Sequence, residues 1–321
     1  MKCQGTIKEK LHIIYKIAAG ILILSLLCGC NVQPPVKQNI RIVVSTYPIY
    51  EWVSAITKNV DSADISYIVF NDIHNYELTE KDKEDIKACD LFIYAGGPSD
   101  KKLEEALKTK DPASIVNLIK VSKDEGTLKK DDADQYIDDE HIWLSISIAQ
   151  SCLSYIADRI SALDKENDTK YLENATAYIE RLNDLKSDYT NVFGEHKDDV
   201  LIFADAFPFA QMVNEFKCNY IVAGDICPNS NYNGYNINEI REAFKEKSVV
   251  GIITIGKAES DTVKMLKKTA GYDIPVYKLY SVEKPEQTEY TSSEEASYYS
   301  LMYDNLLQLE DLFSKKGTNV E

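Results

Sequence analysis

A long helical pattern near the middle of the chain constrains the fold most. Residues 167–193 contain neither Gly nor Pro, and their apolar side chains recur at steps of three and four residues. That spacing is typical of one face of an α-helix. A helix of about 27 residues is a rod of roughly 40 Å, because each residue adds about 1.5 Å. The pattern therefore predicts one rod that joins the segments before it to those after it.

Short β-branched segments alternate with helical patterns on both sides of this rod. The strand candidates are residues 40–45, 65–70, 91–95, 115–119, 200–203, 220–223, 249–255 and 275–279. The helical patterns are residues 48–58, 79–88, 99–108 and 145–163 before the rod and 297–313 at the end. This alternation is typical of βαβ units with parallel strands. It predicts an α/β fold, with two parallel-sheet lobes joined by one long rigid helix and a ligand cleft between the lobes.

The first thirty residues have the pattern of an export signal. Four lysines precede an apolar run of eleven residues at 17–27, which is short of the roughly 20 residues that span a bilayer. The run ends in Leu27-Cys28-Gly29-Cys30, which resembles a bacterial lipobox. We expect cleavage after residue 29 and lipid attachment at Cys30, on the outer face of the cytoplasmic membrane. An uncleaved anchor helix is the alternative.

The chain is acidic, with 52 Asp and Glu against 36 Lys and Arg and a formal charge of −16. Removal of the signal leaves 51 acidic and 32 basic residues, or −19. This balance argues against a nucleic-acid partner, which needs clustered Lys and Arg. The predicted divisions are a signal peptide at 1–29, a tether at 30–39, an amino-terminal lobe at 40–165, a linking helix at 166–193 and a carboxyl-terminal lobe at 194–321. Within the first lobe, the charged residues 122–140 are predicted to form a mobile loop.

Three histidines remain after the signal peptide, and two of them lie within a few residues of a predicted strand or helix. His74 comes after the second predicted strand, and His141 precedes a helix, whereas His196 lies in a polar stretch typical of a surface. Imidazole is a common ligand for zinc and is also used for manganese and iron. His74 and His141 are therefore metal-ligand candidates, and a structural or surface role, the more common one for a single histidine, is the alternative for each.

Five short stretches occur in order along the chain. They are residues 45–50 (STYPIY), 73–79 (IHNYELT), 88–97 (ACDLFIYAGG), 139–144 (DEHIWL) and 297–305 (SYYSLMYDN). Together with the lipobox, they resemble motifs of the extracytoplasmic substrate-binding lipoproteins of zinc and manganese ABC transporters. The resemblance covers about residues 40–315 and implies a fold of two α/β lobes joined by one rigid helix.

The resemblance places the first two metal ligands on His74 and His141. The third ligand position falls on Ala204, which cannot coordinate a metal, and the adjacent Asp205 is the predicted replacement. The fourth position falls on Ala296, which also lacks a donor atom.

Two other donors follow the predicted strand at 220–223. Asp225 and Cys227 are alternative replacements for the missing ligands, and the sequence leaves the choice open. Cys227 would not be available if it formed a disulfide with Cys218, which the short separation of the two allows. The chain has no CxxC motif, so a structural zinc site of that kind is not expected.

The function implied by the resemblance is capture of a divalent metal, with zinc favoured and manganese possible, and its delivery to a membrane permease driven by an ATPase. We expect a monomer and no enzymatic activity, since no HExxH or GxSxG motif is present to support a metal-dependent or serine hydrolase. The alternative is a degenerate relative that serves as a surface adhesin or interaction module, because two ligand positions are occupied by alanine.

Overall fold

Two four-stranded parallel sheets, one before and one after the long helix in the chain, form the fold. The computed structural model describes residues 39–68, 74–130, 136, 139–224, 237–246, 248–256, 258, 260–284 and 297–315. The strands are β1 Ile40–Val44, β2 Ala63–Tyr67, β3 Leu91–Tyr94, β4 Ile115–Asn117, β5 Val200–Phe203, β6 Asn219–Val222, β7 Val249–Thr254 and β8 Val276–Lys278. The predicted fold class, two parallel-sheet lobes and one long connecting helix, is confirmed.

The helices follow the strands in the predicted alternation. They are α1 Tyr47–Ile56, α2 Glu80–Ala88, α3 Glu104–Leu107, α4 Leu118–Asp124, α5 Ile146–Leu163, α6 Asp168–Glu195, α7 Ala210–Phe216, α8 Ile237–Lys245, α9 Asp261–Ala270 and α10 Tyr298–Ser314. Short 3₁₀ helices cover Pro98–Leu103, Pro112–Ser114 and Ile142–Leu144. Helix α2 begins with a capping box, in which the Thr79 and Asp82 side chains each bond to the other's backbone.

Both sheets have the same strand order. The first is β2-β1-β3-β4 and the second is β6-β5-β7-β8, and every neighbouring pair is parallel. Strand β7 is buried at all six of its positions, as expected for a parallel strand that is covered on both faces. In each sheet the carboxyl ends of the strands lie at one edge, which is where ligands bind in open α/β sheets.

The long helix α6 connects the two lobes by packing. Its 28 residues bury one stripe of side chains at the helical spacing, namely Tyr171, Ala175, Leu182, Leu185, Tyr189 and Phe193. The helix packs against α1 and α5 on the amino-terminal side and against α7 and α10 on the carboxyl-terminal side. The buried Tyr189 hydroxyl also donates to the Met302 carbonyl oxygen in α10 at 2.6 Å.

The prediction for residues 115–140 is partly wrong. Strand β4 ends at Asn117, whose side chain accepts a hydrogen bond from the Lys120 amide and caps α4. Helix α4 runs to Asp124 and buries Leu118 and Val121, so the predicted mobile loop cannot begin at residue 122. The sequence prediction missed this helix because it has only two buried apolar residues and is followed by a long charged segment.

Several sequence predictions lie outside the described residues. These are the signal peptide, the lipidated Cys30, and the alternative ligand positions Asp225, Cys227 and Ala296. The domain boundaries stay predictions as well. Among the helices that the structure describes, none is both long enough and apolar enough to cross a membrane.

Candidate metal-binding site

Three side chains from both lobes converge on one point. His74 follows β2, His141 immediately precedes the 3₁₀ turn that leads into α5, and Glu283 follows β8 of the second lobe. Their ligand atoms all lie within 4.8 Å of one another. Within the described part of the chain, they are the one group of three or more His, Cys, Asp or Glu with such spacing. The structure therefore brings both predicted histidines together.

His141 is fully buried and held from both sides of its ring. Asp139 Oδ1 accepts hydrogen bonds from the His141 amide at 3.0 Å and from Nδ1 at 2.5 Å. Nε2 faces Glu283 Oε1 at 2.9 Å. With Nδ1 engaged by the Asp139 carboxylate, Nε2 is the nitrogen of His141 that faces the second lobe.

The orientation of the His74 ring is set by Ser99 and Glu140. Its Nδ1 lies 3.0 Å from Ser99 Oγ and 3.1 Å from Glu140 Oε1. Ser99 in turn donates its amide and its hydroxyl to the Glu140 carboxylate. With Nδ1 engaged in this way, Nε2 is the nitrogen of His74 that can bind a metal.

Glu140 needs a glycine beside it. A Cβ built on Gly97 would lie 2.2 Å from the Glu140 Cβ and 2.8 Å from its Oε2, far inside normal contact distance. Gly97 therefore allows the turn after β3 to approach Glu140 closely enough for the two bonds from Ser99. The glycine pair that ends the predicted third strand thus has a role in holding His74.

Both carboxylates next to the histidines favour the ionised form. Burial opposes ionisation of Glu140, but its bonds from His74 and Ser99 outweigh this, so its pKa lies below the usual value. Burial likewise opposes ionisation of Glu283, and the bond from His141 together with the two nearby imidazoles lowers its pKa overall. Glu283 is therefore available as a negative ligand at neutral pH.

The donor set fits a divalent transition metal. Zinc takes imidazole nitrogens and carboxylate oxygens at about 2.0–2.2 Å, which separates two ligands of a tetrahedral ion by roughly 3.3 Å. The ligand atoms of the three residues lie within 4.8 Å of one another, with His141 Nε2 and Glu283 Oε1 hydrogen-bonded at 2.9 Å, so small shifts would bring them to that spacing. Two neutral imidazoles and one carboxylate leave a dication with one net positive charge. Asp139 and Glu140, immediately behind the rings, offset that charge.

The third predicted ligand, Asp205, is not part of this group. It follows β5, and its Oδ2 accepts hydrogen bonds from the Thr254 hydroxyl and, at 3.4 Å, from the Gly256 amide. Asp205 thus links the carboxyl ends of two strands within the second lobe. Its role as a metal ligand remains a prediction that the geometry does not favour.

Glu283 is the residue that the sequence analysis missed. The rule that selected His74, a polar side chain shortly after a predicted strand, applies equally to Glu283, which comes four residues after the predicted strand 275–279. The motif comparison instead directed attention to Ala204 and Ala296. A search of every strand end for donors would have included Glu283.

The described cysteines do not contribute to the group. Cys89, Cys152 and Cys218 carry free thiols. Burial raises the pKa of both Cys152 and Cys218 to about 12, so these thiols stay protonated and are poor metal ligands. The disulfide suggested between Cys218 and Cys227 is not formed on the side of Cys218, which is a free thiol. Cys227 is not among the described residues.

Comparison with known proteins assigns the chain to a family. Residues 42–312 match the family described as "Zinc-uptake complex component A periplasmic" (ZnuA). The chain belongs to this family. The resemblance seen in the short motifs is thereby confirmed, and the family consists of metal-binding solute-binding proteins rather than enzymes.

Individual relatives are distant but cover most of the chain. The high-affinity zinc uptake system protein ZnuA of Bacillus subtilis is 25% identical over 286 residues, which are 85% of this chain and 87% of that protein. The zinc-binding lipoprotein AdcA of Streptococcus pneumoniae is 23% identical over 316 residues, or 94% of this chain. This chain spans only 62% of the length of AdcA. The zinc-bound crystal structure of AdcA from the same species aligns with a TM-score of 0.66 at 23% identity, over 85% of this chain and 57% of that one.

Proposed function

We propose that this protein is the extracytoplasmic substrate-binding component of an ABC importer for a divalent transition metal, with zinc favoured over manganese. The observation that carries the proposal is the convergence of His74, His141 and Glu283. A site with two imidazole ligands suits zinc better than manganese, because manganese prefers sites made mainly of oxygen ligands. The relatives AdcA and ZnuA are named for zinc, which supports the same choice.

Metal capture in this site couples the two lobes. The first lobe supplies His74 and His141, and the second supplies Glu283, so an ion bound to all three is a bridge between them. Separation of the lobes would break at least one ligand bond. Release to a permease and its ATPase would therefore require only that docking draws Glu283 away from the histidines, without covalent chemistry.

The site is tested by metal content and affinity. The purified protein, stripped with a chelator and reloaded, is expected to retain one zinc ion per chain and to bind manganese more weakly in competition. His74→Ala should lower zinc affinity by more than about a hundredfold, because it removes a ligand and not merely a residue that orients one. His196→Ala is the matched control, because His196 bonds to Asp199 and stacks on Phe313 outside the group. Absence of a retained ion in the unmodified protein would refute the proposal.

The lipid anchor at Cys30 is part of the same proposal. It rests on the positively charged start, the short apolar run and the lipobox-like end of that run. In a bacterial host fed a labelled fatty acid, the protein is expected to incorporate the label and sediment with membranes. Cys30→Ser should abolish incorporation, and equal labelling of that variant would exclude Cys30 as the anchor.

The adhesin alternative has lost its main support. It was based on alanine at two ligand positions, which left the second lobe without its usual ligands. Glu283 supplies a donor from that lobe, so the structure offers no observation that favours loss of metal binding.

A further inference from the structure

The backbone just before Glu283 has an unusual conformation. Among the described residues, three that are not glycine have positive φ: Asn59 at 61°, Lys217 at 55° and Val282 at 61°. Asn tolerates this region, and Lys217 ends α7, where a left-handed residue is common. Val282 is β-branched, and a β-branched residue there is a genuine outlier.

The surroundings of Val282 hold it in this conformation. Two residues earlier, the Tyr280 amide donates to Asn305 Oδ1 at 2.7 Å, and Asn305 Nδ2 donates back to the Tyr280 carbonyl at 2.9 Å. The Ser281 carbonyl then accepts from Trp143 Nε1 at 2.8 Å. The Val282 side chain itself is 1% exposed and packs in the main hydrophobic core.

The left-handed turn directs the apolar Val282 side chain and the charged Glu283 side chain to different places. Val282 points into the core, while the next side chain, Glu283, reaches His141 Nε2 at 2.9 Å. Strained residues persist only where neighbouring contacts over-determine them, and they are concentrated at ligand-binding sites. Here the contacts belong to both lobes, since Trp143 precedes α5 and Asn305 lies in α10.

We infer that Val282 is a positioning residue for Glu283. Its buried isopropyl group anchors the left-handed turn, and the turn aims the Glu283 carboxylate at the two histidines. This inference rests on the proposed metal-binding function, because the quantity that Val282 controls is the placement of a metal ligand.

The role of the turn predicts an order of affinities that differs from the order of side-chain size. In Val282→Ala the anchor is lost while the positive φ stays unfavourable, so the backbone relaxes and Glu283 moves away. Zinc affinity should fall by about tenfold, in the range for residues that orient ligands. In Val282→Gly the positive φ is readily allowed. This variant should therefore bind zinc more tightly than Val282→Ala, although it lacks more of the side chain.

The experiment measures zinc affinity by competition with a chelating dye for the wild type and both Val282 variants in the full chain. Val263→Ala is the matched control, because Val263 is also 1% exposed but packs in a separate cluster of the second lobe. It should keep wild-type affinity. Circular dichroism establishes that each variant is folded at the assay temperature. If Val282→Ala is unfolded, the test rests on Val282→Gly with and without Glu283→Ala, as described next.

A second experiment tests whether Val282 acts on zinc affinity through Glu283. In a Glu283→Ala background, substitutions of Val282 should have no further effect on affinity, because they act through Glu283. An equal loss in that background, or tighter binding by Val282→Ala than by Val282→Gly, would overturn the positioning role. Failure of the wild type to bind zinc would instead refute the proposed function, so the two failures are distinguishable.

Discussion

Glu283→Ala is expected to lower zinc affinity at least about a thousandfold, whereas Asp205→Ala should remain within about threefold of the wild type. Glu283 is the only carboxylate in the three-residue group and therefore its only negative ligand. Loss of residues that merely orient ligands costs about ten- to a hundredfold, so loss of a charged ligand should cost more. Asp205 is occupied by Thr254 and Gly256 within its own lobe.

The comparison is made by competitive titration of the two variants against the wild type under identical buffer and salt. Glu283→Gln provides the shape-matched control, since it keeps the side-chain length and removes the charge. We expect it to bind zinc weakly as well. If Asp205→Ala loses affinity and Glu283→Ala does not, the ligand assignment taken from the motifs is right and the geometric one is wrong.

The fold could be predicted closely because its signals are local. Strand β5 was predicted at residues 200–203 and is observed at Val200–Phe203, and α6 differs from its prediction by one residue at the start and two at the end. Each such segment shows its own period of apolar residues, which does not depend on distant parts of the chain. The prediction was weaker where two short elements adjoin without a loop, as at the boundary between β4 and α4.

The metal site could be predicted only in part for the opposite reason. His74 and His141 stand in distinctive local motifs and follow or precede recognisable elements. Glu283 has no such motif, and its placement depends on Trp143 and Asn305, which are far away in sequence. Pairings of that kind become visible only when the chain is folded, so the motif comparison settled on Asp205, the nearest acidic neighbour of Ala204.

The same pairings lead to a prediction about stability. Asn305 is fully buried in α10, and its amide satisfies both the backbone N–H and the carbonyl of Tyr280. Asn305→Ala removes both hydrogen bonds in a place that water does not reach. Each buried backbone group that loses its partner costs about 1–3 kcal/mol, so we expect the free energy of unfolding to fall by about 3 kcal/mol, as measured by urea denaturation monitored by circular dichroism.

Asn183→Ala is the control, because Asn183 is exposed and its side chain accepts a hydrogen bond from Gln150 on the protein surface. That variant should change the free energy of unfolding by less than about 0.5 kcal/mol. A similarly small change for Asn305→Ala would show that the Tyr280 backbone finds other partners. If the large loss is observed, zinc affinity should fall too in the folded variant, because Tyr280 fixes the start of the segment that carries Glu283. Stability of the second lobe and placement of its metal ligand would then depend on the same buried amide.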